Sequence, residues 1–167
     1  AKSLPDCKFY LDKLEDTVST RTELSKLRNR ALSALTNMYD SENKKLFYVA
    51  KVCDVNSTQY NNSTANDVIY EAMDLFIHGD GHDRNQRRAA QSFLDASRLS
   101  MEDLKLKAII KDASAYSVIT NKSDGWIYYG DVKLGKTPDH CLEFLKNPLN
   151  EEHMMSILSQ VEYYWNM

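Results

Sequence analysis

Eight residues, Gly130-Asp131-Val132-Lys133-Leu134-Gly135-Lys136-Thr137, satisfy the spacing of a phosphate-binding loop: two glycines around four free positions, then Lys and Thr. In such a loop the glycines let backbone N–H groups face the phosphates. Lys neutralises their charge, and Thr ligates Mg²⁺ at the start of a long helix. The candidate nucleotide-binding set is Gly130, Gly135, Lys136 and Thr137. Neighbouring residues favour a different reading. Val132 and Leu134 alternate as in a strand, Asp131 puts negative charge where phosphate would sit, and Pro138 follows Thr137 directly. Thr as N-cap with Pro at the first helical position explains that pair without a ligand. No later apolar strand ends in an Asp that could organise Mg²⁺. The sequence therefore predicts a hairpin strand, a Gly turn and a capped helix, with nucleotide binding as an alternative.

The string His78-Gly79-Asp80-Gly81-His82-Asp83 has side chains that could ligate a metal. Its His82-Asp83 pair resembles that of metal-dependent phosphohydrolases of the His-Asp type. Those enzymes need a further His well upstream, and no His precedes His78. A calcium loop counted from Asp80 has His82 and Arg84 where carboxylate oxygens are needed. The expectation is a turn between helices with Asp83 as N-cap and no metal. A phosphohydrolase using His78, His82 and Asp83 is a further alternative.

Basic residues are concentrated between Arg84 and Lys111. Arg84, Arg87, Arg88, Arg98, Lys105, Lys107 and Lys111 stand against Asp95, Glu102 and Asp103, a local charge of +4 in a chain of −3. Arg84, Arg87 and Arg88 share one helix face by their spacing, as do Lys107 and Lys111. From Pro138 onward, five acidic residues face only Lys146. Such segregation points to an oriented electrostatic partner. Three short helices followed by a β-hairpin also reproduce the element order of a winged helix over 64–131. There a helix at 100–113 would present Lys105, Lys107 and Lys111 to DNA, and Lys122 at the hairpin tip would meet phosphate. Glu102 and Asp103 at the start of that helix oppose base contact, and 101–112 lacks the Asn, Gln or Arg of bidentate base reading.

The elements that position these residues are mostly helical. Cys7, Tyr10, Leu11, Leu14 and Val18 make a stripe over 5–18. Thr20-Arg21-Thr22-Glu23 reads as a capping box, opening a 20–39 helix whose seam is Leu24, Leu27, Ala31, Leu35 and Met38. That near-heptad seam suits self-association. Asp40 is expected to cap a helix over 41–53. An Asn- and Ser-rich stretch then divides a helical arm, 1–53, through a linker at 54–64, from a helical domain at 65–167. Further helices are expected at 65–78, 83–99, 100–113, 138–147 and 150–165. Tyr116–Thr120 and Trp126–Tyr129 read as a hairpin, within a β region of about 116–134.

The fold class is thus mainly α, seven or eight helices around one small β-hairpin. A chain of 167 residues with 43% hydrophobic residues can build its own core. Its three distant cysteines suit reduced thiols in the cytoplasm. No apolar run approaches a membrane span, so no membrane association is expected. No Ser/His/Asp or Cys/His constellation is complete. The expected function is non-enzymatic: an adaptor or regulatory protein without a cofactor. It would act on a protein partner, on DNA or RNA through the 84–111 face and Lys122, or on a second copy through the 20–39 helix.

Overall fold

The computed structural model describes residues 4–79 and 82–167, and their side chains from Leu14 onward with Asp83 excepted. Helix α1 runs unbroken over Leu4–Ser41. The capping box expected at Thr20–Glu23 does not open a helix. Thr20 and Thr22 instead donate their hydroxyls to the carbonyls of Asp16 and Val18, each at 2.9 Å, the use such residues find inside a helix. From Leu24 onward α1 has a buried face. Leu24, Ala31, Leu35 and Met38 pack toward α3 (Asn66–His78) and α4 (Asp83–Ser97). The seam expected for self-association is therefore buried within the chain. Leu14 and Val18 remain half exposed, and the side chains of Cys7, Tyr10 and Leu11 lie outside those described.

Helix α2 (Asn43–Cys53) has Glu42 rather than Asp40 at its cap position, with no side-chain cap bond. Gly79 closes α3 at φ +64°, its N–H reaching the carbonyls of Leu75 and Phe76. His82 holds the position before α4, so Asp83 is the first helical residue and not the cap. Ser100 caps α5 (Met101–Ala115), accepting from the Asp103 N–H at 3.2 Å.

The end of α5 corrects the expected hairpin. Ser117 adopts φ +60°. Its N–H reaches the Ser114 carbonyl, and that of Val118 reaches Ala113 at 2.8 Å. This is a Schellman turn with Ser in the place usually held by Gly. It uses Tyr116–Ile119 as helix exit, so β1 is only Thr120–Asn121. β1, β2 (Ile127–Tyr129) and β3 (Val132–Gly135) form an antiparallel sheet in that order, with a register irregularity at Ile127/Tyr128. Helix α6 (Pro138–Lys146), a 3₁₀ turn at Pro148–Asn150 and α7 (Glu151–Trp165) follow. Asn147 makes the side-chain bond that starts this last segment, accepting from the Leu149 N–H at 3.0 Å.

The fold is mainly helical with a small three-stranded sheet. Helix α2 packs against α1, α3, α4 and α5, while α5 also meets α6 and α7. Helix α5 is enclosed on nearly every side, and its exposed residues (Met101, Glu102, Ser114 and Ala115) lie at its ends. Buried residues on both sides of 54–64, from Ala31 to Trp165, form one cluster. Among the described residues, no helix is long and apolar enough to cross a membrane.

Candidate nucleic-acid interface

Two central helices each carry a charge on an otherwise apolar face. Lys51 of α2 and Asp112 of α5 are fully buried and lie 2.6 Å apart. Lys51 Nζ also donates to the carbonyls of Ser57, at 2.8 Å, and Tyr60. Asp112 accepts from Ser57 Oγ and Trp165 Nε1, both at 2.6 Å. The rings of Phe47 and Trp165 flank the ammonium at 5.3 and 5.1 Å. Burial pulls the Lys51 pKa below its ordinary value, while the Asp112 carboxylate opposes that pull. Every polar group here has a partner, as a buried ion pair requires. The hub fastens the 54–61 segment and α7 to the two central helices. Sequence reasoning missed it, although a Lys spaced four from Phe47 and an Asp spaced four from Ala108 are charges on apolar stripes.

Lys111, next to this hub, is also committed. Its Nζ donates to the carbonyls of Val52, at 3.1 Å, and Asp54, at the end of α2, where a cation complements the helix dipole. Burial lowers its pKa. Burial also pushes the nearby Cys53 thiol up to about 12, which disfavours its thiolate.

The other basic residues divide by location. Arg84, Arg87 and Arg88 line a shallow cleft of about 420 Å³ beside Leu27 of α1. Arg88 and Ser92 also line a larger cleft of about 770 Å³, which reaches Lys107 across Phe76, Ala89 and Leu99. Lys107 and Val52 in turn line a third cleft, of about 470 Å³, with Lys111 and Lys136. The three depressions adjoin through Arg88 and Lys107. Their linings hold six cationic side chains against the carboxylates Asp95 and Asp139. Among the described residues, the side chains of Arg84, Arg87, Arg88 and Lys107 have no hydrogen bond, ion pair or ring contact.

Two expected contributors lie elsewhere. Lys105 lines a separate groove with Leu106, Ile109 and Met154, between α5, α6 and α7. Lys122 sits over the Tyr128 ring at 4.1 Å. Along α5 the side chains of Lys105, Lys107 and Lys111 are half-buried, and the exposed residues lie only at the helix ends.

The glycine-rich string is built as strand and cap. Gly130 makes the β2–β3 turn at φ +60°. Gly135 ends β3 so close to α6 that an added Cβ would lie 2.6 Å from that of His140. Thr137 Oγ1 accepts from the His140 N–H at 3.2 Å and caps α6, with Pro138 in its first turn. Lys136 lies over the Trp126 ring at 5.4 Å, with Lys133 at 5.0 Å from the same ring. The two sequence signals thus meet in space: Lys136 shares a cleft with Lys107 and Lys111.

Of the His78–Asp83 string, Asp80, Gly81 and the Asp83 side chain lie outside the described residues. His78 Nδ1 is 2.8 Å from the Asp74 carbonyl oxygen. Among the described residues, no three His, Cys, Asp or Glu side chains are grouped to hold a metal ion. No protein-family model matches the chain, and no curated protein or solved structure matches it.

Proposed function

We propose that this protein is a non-enzymatic adaptor that holds nucleic acid along the band from Arg84 to Lys136. One observation carries the reading: Arg88 and Lys107 each line two adjoining clefts, so cations from α4, α5 and the β3–α6 junction follow one path. Unpaired surface ammonium and guanidinium groups keep their solvation until an anion arrives, which suits a polyanionic partner. The winged-helix order of 64–131 is not needed for this mode. Helix α5 contributes Lys107 and Lys111 from its flank, at a cleft wall, and does not lie in a groove.

The test is a salt titration of binding to short DNA and RNA, single-stranded and duplex. Each neutralised phosphate releases counterions, so log K falls with log salt by about 0.7 to 0.9 per contact. Replacing Arg84, Arg87 and Arg88 together by Ala is expected to weaken binding and flatten that slope. Absence of binding at low salt overturns the reading and turns the search to acidic protein segments. A free-nucleotide alternative would rest on Lys136 sharing its cleft with two further lysines and not on a phosphate loop, since the string forms a strand and a helix cap. It requires Lys136→Ala to abolish binding of a free nucleoside triphosphate.

A further inference from the structure

The cleft between α5, the sheet and the start of α6 differs in kind from the rest of the band. Its floor is apolar, made by Ile110, Ile119 and Ile127, each less than 10% exposed. Its charged lining includes Lys107 and Lys136, with one carboxylate, Asp139, beside them, so cations outnumber anions there. Lys111 contributes a fixed positive charge in the wall, held by two backbone carbonyls. Two small polar groups, Ser114 and Asn121, also face this cleft. Among the described residues neither side chain has a hydrogen-bond partner. A volume of about 470 Å³ falls within the ~300–1,000 Å³ typical of small-molecule sites, which pair an apolar lining with a few convergent polar groups.

This chemistry narrows the occupant. A bare phosphate would leave the isoleucine floor in water. A purely apolar ligand would leave Lys107 and Lys136 without use. A nucleotide satisfies both, with a flat base on the isoleucines, its edge at Asn121 and Ser114, and its phosphate at the two lysines. The cleft opens at Lys107 onto the path toward Arg88, so the strand's further phosphates have somewhere to go. We infer that this cleft takes one splayed-out nucleotide of a single strand, so that the band prefers single-stranded over duplex nucleic acid. The inference rests on the nucleic-acid reading above. In a duplex the bases are paired and stacked, and none is available to enter.

The experiment compares a labelled single-stranded oligonucleotide, its matched duplex and free AMP, at low salt and along a salt series. Ser114→Trp fills the cleft without changing charge, and Asn121→Ala removes the base-edge amide by a small deletion. Thermal unfolding checks that each variant is folded. The expected result is a roughly tenfold preference for the single strand. Both variants should reduce it, the slope against salt should stay near that of the native protein in Ser114→Trp, and AMP should compete only weakly. Equal binding of duplex and single strand, unchanged by either variant, overturns the inference but leaves the band as a charge-driven site. AMP binding as tightly as the strand, unaffected by loss of Arg84 and Arg87, replaces the strand by a free nucleotide and also overturns it. Absence of all binding removes the underlying reading as well.

Discussion

Lys51 and Lys107 sit on the two central helices and have the same chemistry, yet their surroundings are opposite. Lys51 is fully enclosed and saturated by a carboxylate and two carbonyls. Lys107 stands where two clefts meet and, among the described residues, has no partner. A buried ammonium without partners would be too costly to keep charged, so the core holds a saturated one. At a surface, water supplies the partners until something better does. The contrast teaches that a count of basic residues says little about binding. Lys51 and Lys111 serve the fold, while Arg84, Arg87, Arg88 and Lys107 are left available.

The largest expected effect breaks the saturated side of this contrast. Replacing Asp112 by Ala leaves Lys51, Ser57 Oγ and Trp165 Nε1 without their shared acceptor. Loss of one partner from a buried pair typically costs about 3–5 kcal/mol, and chemical denaturation should show a drop of that order. Restoring an apolar pair with Lys51→Met and Asp112→Leu should recover only part of it, because Ser57, Tyr60 and Trp165 would still lack partners. Recovery to native stability would mean that the hub contributes packing and not polar satisfaction.

A smaller effect is expected at the joint that sets Lys136. Gly135→Ala would drive a Cβ to within 2.6 Å of His140 Cβ and 3.0 Å of the Cys141 nitrogen. Both neighbours belong to the first turn of α6, so β3 and α6 must separate. Overpacking of this kind typically costs about 1–3 kcal/mol, again read by denaturation. It should also disturb Lys136 over Trp126, and hence the Trp126 emission. Unchanged stability and emission would show that the strand and helix are not held this closely.

Features fixed by near neighbours were legible beforehand. Thr137 caps the helix it precedes, because its hydroxyl acts on a backbone N–H three residues on. Local signals failed where one residue type serves two local uses. Thr20 and Thr22 carry hydroxyls that suit an N-cap or an i−4 carbonyl equally, and the unbroken helix takes the second. Val118 and Ile119 are β-formers, yet they leave a Schellman turn. The site was legible only in parts. The arginines of α4 and the lysines of α5 stood out by spacing, and Lys136 stood out by motif. Their meeting across one face depends on how α6 packs on β3 and on α5, which no local pattern encodes. The Lys51–Asp112 pair joins positions 61 residues apart and could be suspected from stripe position but not paired.

The smallest expected change in stability tests the available side of the contrast. Lys107→Ala removes a side chain that bonds to no described residue, so stability should move by no more than about 0.5 kcal/mol, as for ordinary surface changes. Nucleic-acid affinity should nevertheless fall at every sequence tested, and the salt slope should decrease by about one contact. The two readouts together separate the roles that sequence alone merges. Lys51 variants should lose stability first, with binding following only as folded protein disappears. Lys107 variants should lose binding while the denaturation midpoint stays fixed. If Lys107→Ala lowered stability as Asp112→Ala does, Lys107 would belong to the fold, and the band would lose the residue that joins its two larger clefts.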